Sequence, residues 1–196
     1  MIFLFEIIGT VAFAISGAAV GIRKQMDVFG VVILGMTTAV GGGIIRDLIL
    51  NITPPTAFRQ PIYAAVAILV SALIFLPSVR SRVNTNSRLQ IVIDAIGLGT
   101  FTVVGVKAGM VFDNMFLSVF VGTVTGVGGG VLRDIFAADK PTIFVKQFYA
   151  CASIIGAICC VIVWDIGQNI AMLTGAAIII ILRLLAAGYR WNLPHA

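Results

Sequence analysis

Most of this chain consists of apolar stretches that are each long enough to cross a bilayer as a helix, which takes roughly 20 residues. Hydrophobic residues make up 60% of its 196 residues and charged residues only 11%, whereas a water-soluble domain carries about 25% charged residues. The apolar stretches are continuous, while the strands of a transmembrane barrel alternate between apolar and polar residues. The sequence therefore predicts an all-α integral membrane protein.

Seven transmembrane helices are predicted, separated by polar or proline-containing loops. They cover about residues 2–21, 28–50, 61–77, 91–109, 115–137, 145–164 and 168–187. Together they form a single transmembrane domain over residues 1–196.

Basic residues are divided unequally between the two sides of the membrane. With seven spans, the first, third and fifth loops share a side with the C-terminus, and that side holds Arg23, Lys24, Arg80, Arg82, Arg88, Lys140, Lys146 and Arg190. The opposite side holds Arg59 and Lys107. Because cytoplasmic loops carry an excess of Lys and Arg, we expect a multi-pass inner (plasma) membrane protein with the N-terminus outside and the C-terminus cytoplasmic. The same asymmetry accounts for the net charge of +5, so no nucleic-acid partner is expected.

A repeat divides the chain into two halves. The segment Gly41-Gly42-Gly43-Ile44-Ile45-Arg46-Asp47 recurs as Gly128-Gly129-Gly130-Val131-Leu132-Arg133-Asp134. Further matches pair Glu6 with Asp94, Phe13 with Phe101, Thr38 with Thr125, Pro55 with Pro141 and Tyr63 with Tyr149. Each half holds three spans, and an odd number inverts the second half relative to the first. The sequence predicts an inverted 3+3 repeat, about 2–77 and 91–164, plus one helix at about 168–187.

The glycine triplets allow two interpretations. Glycine costs roughly 1 kcal/mol relative to alanine within a helix, so three together favour a broken or kinked helix whose freed carbonyls face a polar pathway. The alternative is close packing, because small residues let transmembrane backbones approach. The break is favoured because Arg and Asp follow each triplet. The predicted helix-break and pore residues are Gly41, Gly42, Gly43, Gly128, Gly129 and Gly130.

An arginine-aspartate pair follows each triplet. Neighbours on a helix project about 100° apart, so neither Arg46 with Asp47 nor Arg133 with Asp134 is expected to pair well. We expect partners on other helices, with both arginines lining or gating a conduction path and the aspartates holding them. An arginine there suits a gate, or the anionic group of a zwitterionic substrate or lipid. Alternatively, these charges lie at helix ends and extend to the interface.

Other polar residues within the spans are also candidates for the pathway. Glu6 and Asp94 either draw cations to a pore mouth or interact with the helix dipole, and the dipole is favoured for Glu6. Thr38 and Thr125 carry hydroxyls suited to a partly dehydrated monovalent cation or an ammonium group, although such hydroxyls often bond to their own helix. The predicted pore-lining or gating set is Thr38, Thr125, Arg46, Asp47, Arg133, Asp134, Ser16 and Asp94.

The sequence contains no pattern typical of catalysis or of a resident metal. His195 is the only histidine, and the glycine triplets lack the lysine-serine signature of a phosphate-binding loop. Cys151, Cys159 and Cys160 lie in one apolar span without metal-ligand spacing, and are expected to be buried thiols. We expect no enzymatic activity, no cofactor and no bound metal beyond transient potassium.

The chain resembles prokaryotic trimeric intracellular cation (TRIC) channels over about residues 2–190. The features that carry the resemblance are the doubled Gly-Gly-Gly-x-x-Arg-Asp motif, the Pro-Thr-x-Phe that follows each copy and the 3+3+1 arrangement of spans. The resemblance implies a homotrimer with one pathway per protomer for monovalent cations, chiefly potassium, flanked by spans two and five. Bacterial relatives are also described as glycine transporters, so the alternative is a transporter of a small amino acid. Animal members bind a phosphoinositide through a more basic motif, where this chain has Arg133-Asp134, so lipid regulation is not carried over from the resemblance. Membrane lipid is an expected partner.

Overall fold

The computed structural model describes residues 1–77, 79, 87–145, 148–189 and 191. Every regular element within these ranges is a helix, which confirms the all-α prediction. Cys160 is buried, whereas Cys151 and Cys159 are half-buried, and all three are free thiols. Five residues named above lie outside the described residues: Arg80, Arg82, Lys146, Arg190 and His195.

Within the described residues, five helices are long and apolar enough to cross a membrane. They are α1 (Ile2–Arg23), α2 (Val28–Ile49), α5 (Ser87–Met110), α6 (Met115–Phe136) and α9 (Gln168–Gly188). Two shorter apolar helices, α4 (Ile62–Phe75) and α8 (Tyr149–Ile162), have 14 residues each. The one-turn helices α3 (Thr56–Arg59) and α7 (Thr142–Val145) precede α4 and α8, and a 3-10 turn (Trp164–Ile166) precedes α9.

The seven predicted spans coincide with these seven apolar helices, with one difference in length. The spans predicted at 61–77 and 145–164 form the shorter helices α4 and α8. A 14-residue helix is about 21 Å long at 1.5 Å per residue, short of the roughly 30 Å hydrocarbon core. That all seven cross the membrane therefore remains a prediction.

Matching local signals begin and end the long helices. The Oδ1 atom of Asp27 accepts a hydrogen bond from the backbone N–H of Gly30 at 2.7 Å and caps α2. Asn114 does the same for Leu117 at 2.9 Å and caps α6. Such caps pair N–H groups that a helix N-terminus leaves unsatisfied. Residues in the left-handed region, a common helix terminator, follow α1, α2, α5 and α6: Gln25 (φ 56°), Asn51 (54°), Asp113 (50°) and Ala138 (54°).

The helices form two similar groups of three. In one group α1, α2 and α4 pack against one another, and in the other α5, α6 and α8 do so. The groups meet where α1 packs on α5 and α2 packs on α6, while α9 covers α5 and α8. Between the groups, the matched rings of Phe13 and Phe101 pack with centroids 5.3 Å apart. Residues that match in sequence therefore face each other across the junction of the two groups.

The glycine triplets lie where α2 and α6 pack against each other. A Cβ added to Gly42 would lie 2.3 Å from the carbonyl oxygen of Thr125, and one added to Gly129 would lie 2.2 Å from that of Thr38. Only a residue without a side chain permits this approach. Both helices run unbroken through the triplets. The predicted unwinding at Gly41, Gly42, Gly43, Gly128, Gly129 and Gly130 is therefore wrong. Close packing of the two helices is the structural role of Gly42 and Gly129.

The energetics of a backbone in hydrocarbon explain this correction. Each unpaired N–H or C=O group costs several kcal/mol where neither water nor protein satisfies it. Three glycines kept helical cost only about 3 kcal/mol relative to alanine. A continuous helix is therefore the less costly solution, and the close contact between α2 and α6 offsets part of that cost.

Candidate functional site

Each aspartate of the repeated motif links the end of a long helix to the following one-turn helix. The Oδ2 atom of Asp47 accepts a hydrogen bond from the backbone N–H of Thr56 at 2.6 Å. The Oδ2 atom of Asp134 accepts one from the backbone N–H of Thr142 and another from its hydroxyl, both at 2.8 Å. These buried carboxylates fix the positions of α3 and α7 relative to α2 and α6.

The same aspartates pair with the arginines that precede them. The Nε atom of Arg46 donates to Oδ1 of Asp47 at 2.7 Å, and that of Arg133 donates to Oδ1 of Asp134 at 2.8 Å. The expectation that these neighbours pair poorly is wrong, because the 100° separation describes where the side chains begin and the long arginine side chain folds back. Both arginines are buried, so they do not extend to the interface.

In the second half of the chain, Arg133 also joins three long helices. Its Nη1 atom donates to Oδ1 of Asp94 on α5 at 2.7 Å and to the hydroxyl of Ser16 on α1 at 2.6 Å. The Ser16 hydroxyl donates in turn to Oδ1 of Asp94 at 3.3 Å. We call Arg133, Asp94, Asp134 and Ser16 the arginine cluster. The prediction that Arg133 finds partners on other helices is confirmed, and three other members of the predicted site meet it there.

The matching positions in the first half do not form the same cluster. Glu6, which matches Asp94, accepts a hydrogen bond from the hydroxyl of Tyr63. Arg46, which matches Arg133, pairs with Asp47 and approaches the hydroxyl of Thr56 at 3.5 Å. Among the described residues, no ion pair joins Arg46 to Glu6. The two halves of the chain therefore hold equivalent charges in different arrangements.

A pocket lies between Glu6 and Arg46. Its empty space, including the open mouth, is about 390 Å³. Its lining residues are Glu6, Thr10, Ala39, Val40, Gly43, Arg46, Thr56, Ala57, Tyr63, Phe101 and Val104. We call it the Arg46 pocket. Its lining residues are mostly apolar and include one arginine and one glutamate, a combination typical of a site for a small polar ligand.

The matched threonines do not line the Arg46 pocket. The hydroxyl of Thr38 donates to the carbonyl of Leu34 and that of Thr125 to the carbonyl of Val121, each at 2.6 Å. Both threonines are buried beside glycines of the neighbouring helix: a Cβ on Gly17 would lie 2.5 Å from the Thr38 hydroxyl. Their hydroxyls are satisfied within their own helices, which is the alternative that the sequence left open.

Arg183 is a buried charge that sequence reasoning missed. It lies on α9 with only 2% of its surface exposed, and its guanidinium carbon lies 4.7 Å from the ring centroid of Tyr149. Tyr149 in turn lies beside the third glycine of the second triplet, because a Cβ on Gly130 would lie 3.2 Å from its hydroxyl. The available signal was a lone arginine inside an apolar span, a position where a charge marks a functional site by default.

Comparison with known proteins identifies the family. A family model described as glycine transporter matches residues 3–78 and 91–165. The chain belongs to this family. It is also 36% identical to the inner membrane protein YadS of Escherichia coli over 197 residues, which cover 98% of this chain and 94% of YadS. As a family member it is a multi-pass membrane protein.

Two solved structures are similar over nearly the whole chain. One, from work on conductance through TRIC cation channels, shares 39% identity, covers 98% of this chain and 96% of its own, and has a TM-score of 0.90. The other is a TRIC trimeric intracellular cation channel orthologue from Rhodobacter sphaeroides, with 31% identity, 98% coverage of both chains and a TM-score of 0.86. These matches confirm the resemblance to prokaryotic TRIC proteins.

Proposed function

We propose that this protein is a channel for monovalent cations, chiefly potassium, with one pathway in each protomer of a homotrimer. The family relationship supports this, since two solved relatives are described as TRIC cation channels and one of them as trimeric. The observation that carries the proposal within this chain is the contrast between the open Arg46 pocket and the closed arginine cluster. Buried charges of this kind inside a membrane protein mark ion or substrate pathways.

The proposed pathway runs along α1, α2, α5 and α6 from the pocket to the cluster. With the N-terminus outside and an inverted 3+3 repeat, Glu6 and Arg46 lie toward the outer side and the arginine cluster toward the cytoplasm. Glu6 and Ser16 are about 15 Å apart along α1, at 1.5 Å per residue, which is half of the hydrocarbon core. Pocket and cluster together therefore span the middle of the membrane.

The arginine cluster has the properties of a closed gate on this path. A guanidinium repels a potassium ion, and here it is held between two carboxylates. Separating Arg133 from Asp94 would free the carboxylate for a passing cation and move the positive charge aside. Asp134 would keep Arg133 paired after that movement, because its bond to Arg133 lies within α6. The guanidinium of Arg133 would therefore remain paired with a carboxylate when the gate opens.

Reconstitution tests this proposal. Purified protein in planar bilayers is expected to give unitary potassium currents that reverse at the potassium equilibrium potential. The variant Asp165→Asn should give the same currents as the unchanged protein, because it neutralises an exposed acid in the 3-10 turn, far from the arginine cluster in the chain. Bilayers that incorporate folded trimer and carry no unitary current would overturn the channel proposal, and a folded monomer or dimer by native mass spectrometry would overturn the trimer.

A carrier for a small amino acid is the second candidate. The family description supports it, and so does the different arrangement of equivalent charges in the two halves. If the halves exchanged arrangements, Arg46 would pair with Glu6 while Arg133 separated from Asp94, which would close one side and open the other. Saturable uptake of labelled glycine into proteoliposomes, in the absence of unitary current, would favour the carrier over the channel.

A further inference from the structure

We propose that Tyr149 is a positioning residue of the gate, and that its hydroxyl donates to the Asp94 carboxylate when Arg133 leaves it. The inference rests on the proposed function, because it names the group that holds Asp94 in the open state. Three observations carry it: a buried hydroxyl without a partner in the described part of the chain, its position beside Arg133, and the arrangement of the matched residues in the first half.

The first observation is the state of the Tyr149 hydroxyl. Tyr149 is the first residue of α8 and is only 3% exposed. Among the described residues its hydroxyl has no hydrogen-bond partner. A buried hydroxyl without a partner is destabilising, and native structures rarely keep one. The hydroxyl is therefore available to a partner that it meets in another state of the protein.

The second observation is the position of this hydroxyl at the arginine cluster. A Cβ on Gly130 would lie 3.2 Å from the Tyr149 hydroxyl and 3.7 Å from the Nη2 atom of Arg133, so the hydroxyl and the guanidinium are neighbours. The Nη1 atom of that guanidinium donates to Oδ1 of Asp94 at 2.7 Å, and the charge of Asp94 acts on the hydroxyl. On the other side, the guanidinium carbon of Arg183 lies 4.7 Å from the centroid of the tyrosine ring, a cation–π contact that orients the ring.

The third observation is that the first half of the chain already has the exchanged arrangement. Tyr63, which matches Tyr149, donates from its hydroxyl to Oε2 of Glu6, which matches Asp94. Among the described residues, no ion pair joins Glu6 to Arg46. The same three kinds of side chain thus occur twice, and the carboxylate is bound by tyrosine in one half and by arginine in the other.

The exchange of donors makes opening of the gate less costly. Withdrawal of Arg133 leaves the Asp94 carboxylate buried without an ion pair, and an uncompensated buried charge is strongly destabilising. A tyrosine hydroxyl is a neutral donor, so it would hold the carboxylate in place without neutralising it and without repelling a cation. The two side-chain hydrogen bonds described at Asp94 both end on Oδ1. The second oxygen can therefore accept from Tyr149 while Oδ1 faces a passing potassium ion.

Potassium flux into proteoliposomes tests the role of the hydroxyl. Tyr149→Phe removes the hydroxyl but keeps the ring beside Arg183, and it should lower the flux about tenfold, the fold-change expected for one lost hydrogen bond to a charged group. The unitary conductance in planar bilayers should stay the same, because only the population of the open state falls. Tyr189→Phe makes the same change at an exposed tyrosine and should leave the flux unchanged.

Thermal unfolding of the purified full-length protein separates this role from a purely structural one. In the otherwise unchanged protein, Tyr149→Phe removes a hydroxyl without a partner, so the unfolding midpoint should stay the same or rise. In an Arg133→Gln background the Asp94 carboxylate has lost its ion pair and should accept from Tyr149, so Tyr149→Phe should lower the midpoint there by at least about 3 °C. Arg133→Met provides a second background if Arg133→Gln does not fold. Tyr63→Phe removes an existing hydrogen bond to Glu6 and should lower the midpoint of the otherwise unchanged protein.

Two outcomes would overturn the inference: a conducting protein whose flux is unchanged by Tyr149→Phe, or an effect of Tyr149→Phe on the midpoint that is the same with and without Arg133. Circular dichroism and gel filtration establish that each variant is folded. Either outcome in a protein that carries unitary potassium currents would overturn the tyrosine exchange alone. A protein without such currents, in which Tyr149→Phe lowers the midpoint only in the Arg133→Gln background, would overturn the channel alone.

Discussion

Two adjacent glycines of the first triplet provide a sharp test of helix packing. A Cβ on Gly42 would lie 2.3 Å from the Thr125 carbonyl oxygen and 3.2 Å from the backbone nitrogen of Gly129. A Cβ on Gly43 would have only the Nη2 atom of Arg46 nearby, at 3.9 Å. The substitutions Gly42→Ala and Gly43→Ala therefore add the same methyl group to the same helix, one into a backbone and the other into open space.

The structure sets the size and sign of both effects. The Gly42→Ala contact must lengthen by about 1 Å to reach ordinary van der Waals distance, and a carbonyl in a helix cannot yield without moving α6. Overpacking of this kind costs about 1–3 kcal/mol, which exceeds the roughly 1 kcal/mol gained from helix propensity. Gly43→Ala keeps that gain without the clash. We expect Gly42→Ala to be destabilised and Gly43→Ala to be unchanged or stabilised.

Thermal unfolding of the purified variants, followed by circular dichroism in one detergent, measures the difference. A shift of 1 kcal/mol corresponds to about 2–4 °C for a chain of this length, so the two variants should differ by at least that amount. Gly129→Ala repeats the test from the other helix, since its Cβ would lie 2.2 Å from the Thr38 carbonyl oxygen. Equal stability of Gly42→Ala and Gly43→Ala would refute the proposed close packing.

Three further predictions concern charged groups. Arg133→Gln removes the guanidinium that repels potassium and leaves the Asp94 carboxylate without its ion pair, and should raise potassium flux into proteoliposomes several-fold. Unchanged or lower flux in the folded variant would contradict the gate. Lys24 and Asp139 form a partly exposed ion pair at 2.6 Å. A double-mutant cycle of unfolding free energies with Lys24→Gln and Asp139→Asn should give a coupling free energy below about 1 kcal/mol that weakens with salt. A larger coupling that does not change with salt would contradict a weak surface ion pair. Asp27→Ala removes the cap of α2 and should cost about 1 kcal/mol, measured as a lower unfolding midpoint; an unchanged midpoint would show that the cap contributes nothing.

Much of the local structure could be predicted because hydrocarbon leaves the backbone few choices. A chain that must satisfy its hydrogen bonds without water forms helices along its apolar stretches, and caps such as Asp27 and Asn114 mark where two of them begin. The same principle favours continuous helices at the glycine triplets. Their composition suggested a break, whereas the position of Gly42 against Thr125 depends on a helix that is distant in sequence.

The candidate site could be predicted only residue by residue. Ser16, Asp94 and Arg133 are each indicated by their polar character within apolar spans. The sequence also predicts that Arg133 has partners on other helices, but it does not indicate that these partners are Ser16 and Asp94. The pairing of Arg46 with Asp47 was missed because spacing along a helix describes Cβ directions and not the reach of a long side chain. Arg183 was passed over because it has no match in the repeat.

The sequence by itself determined an all-helical membrane protein and the positions of its apolar helices, because both depend on the local balance between hydrocarbon and backbone polarity. Tertiary structure decided that Arg133 forms an ion pair with a carboxylate on another helix, whereas the equivalent Arg46 lines a pocket. Arg46 and Arg133 stand in nearly identical sequence motifs, so the difference comes from the side chains that α1, α4 and α5 bring to them. Contacts between distant segments depend on how the helices pack, and no local pattern encodes that packing.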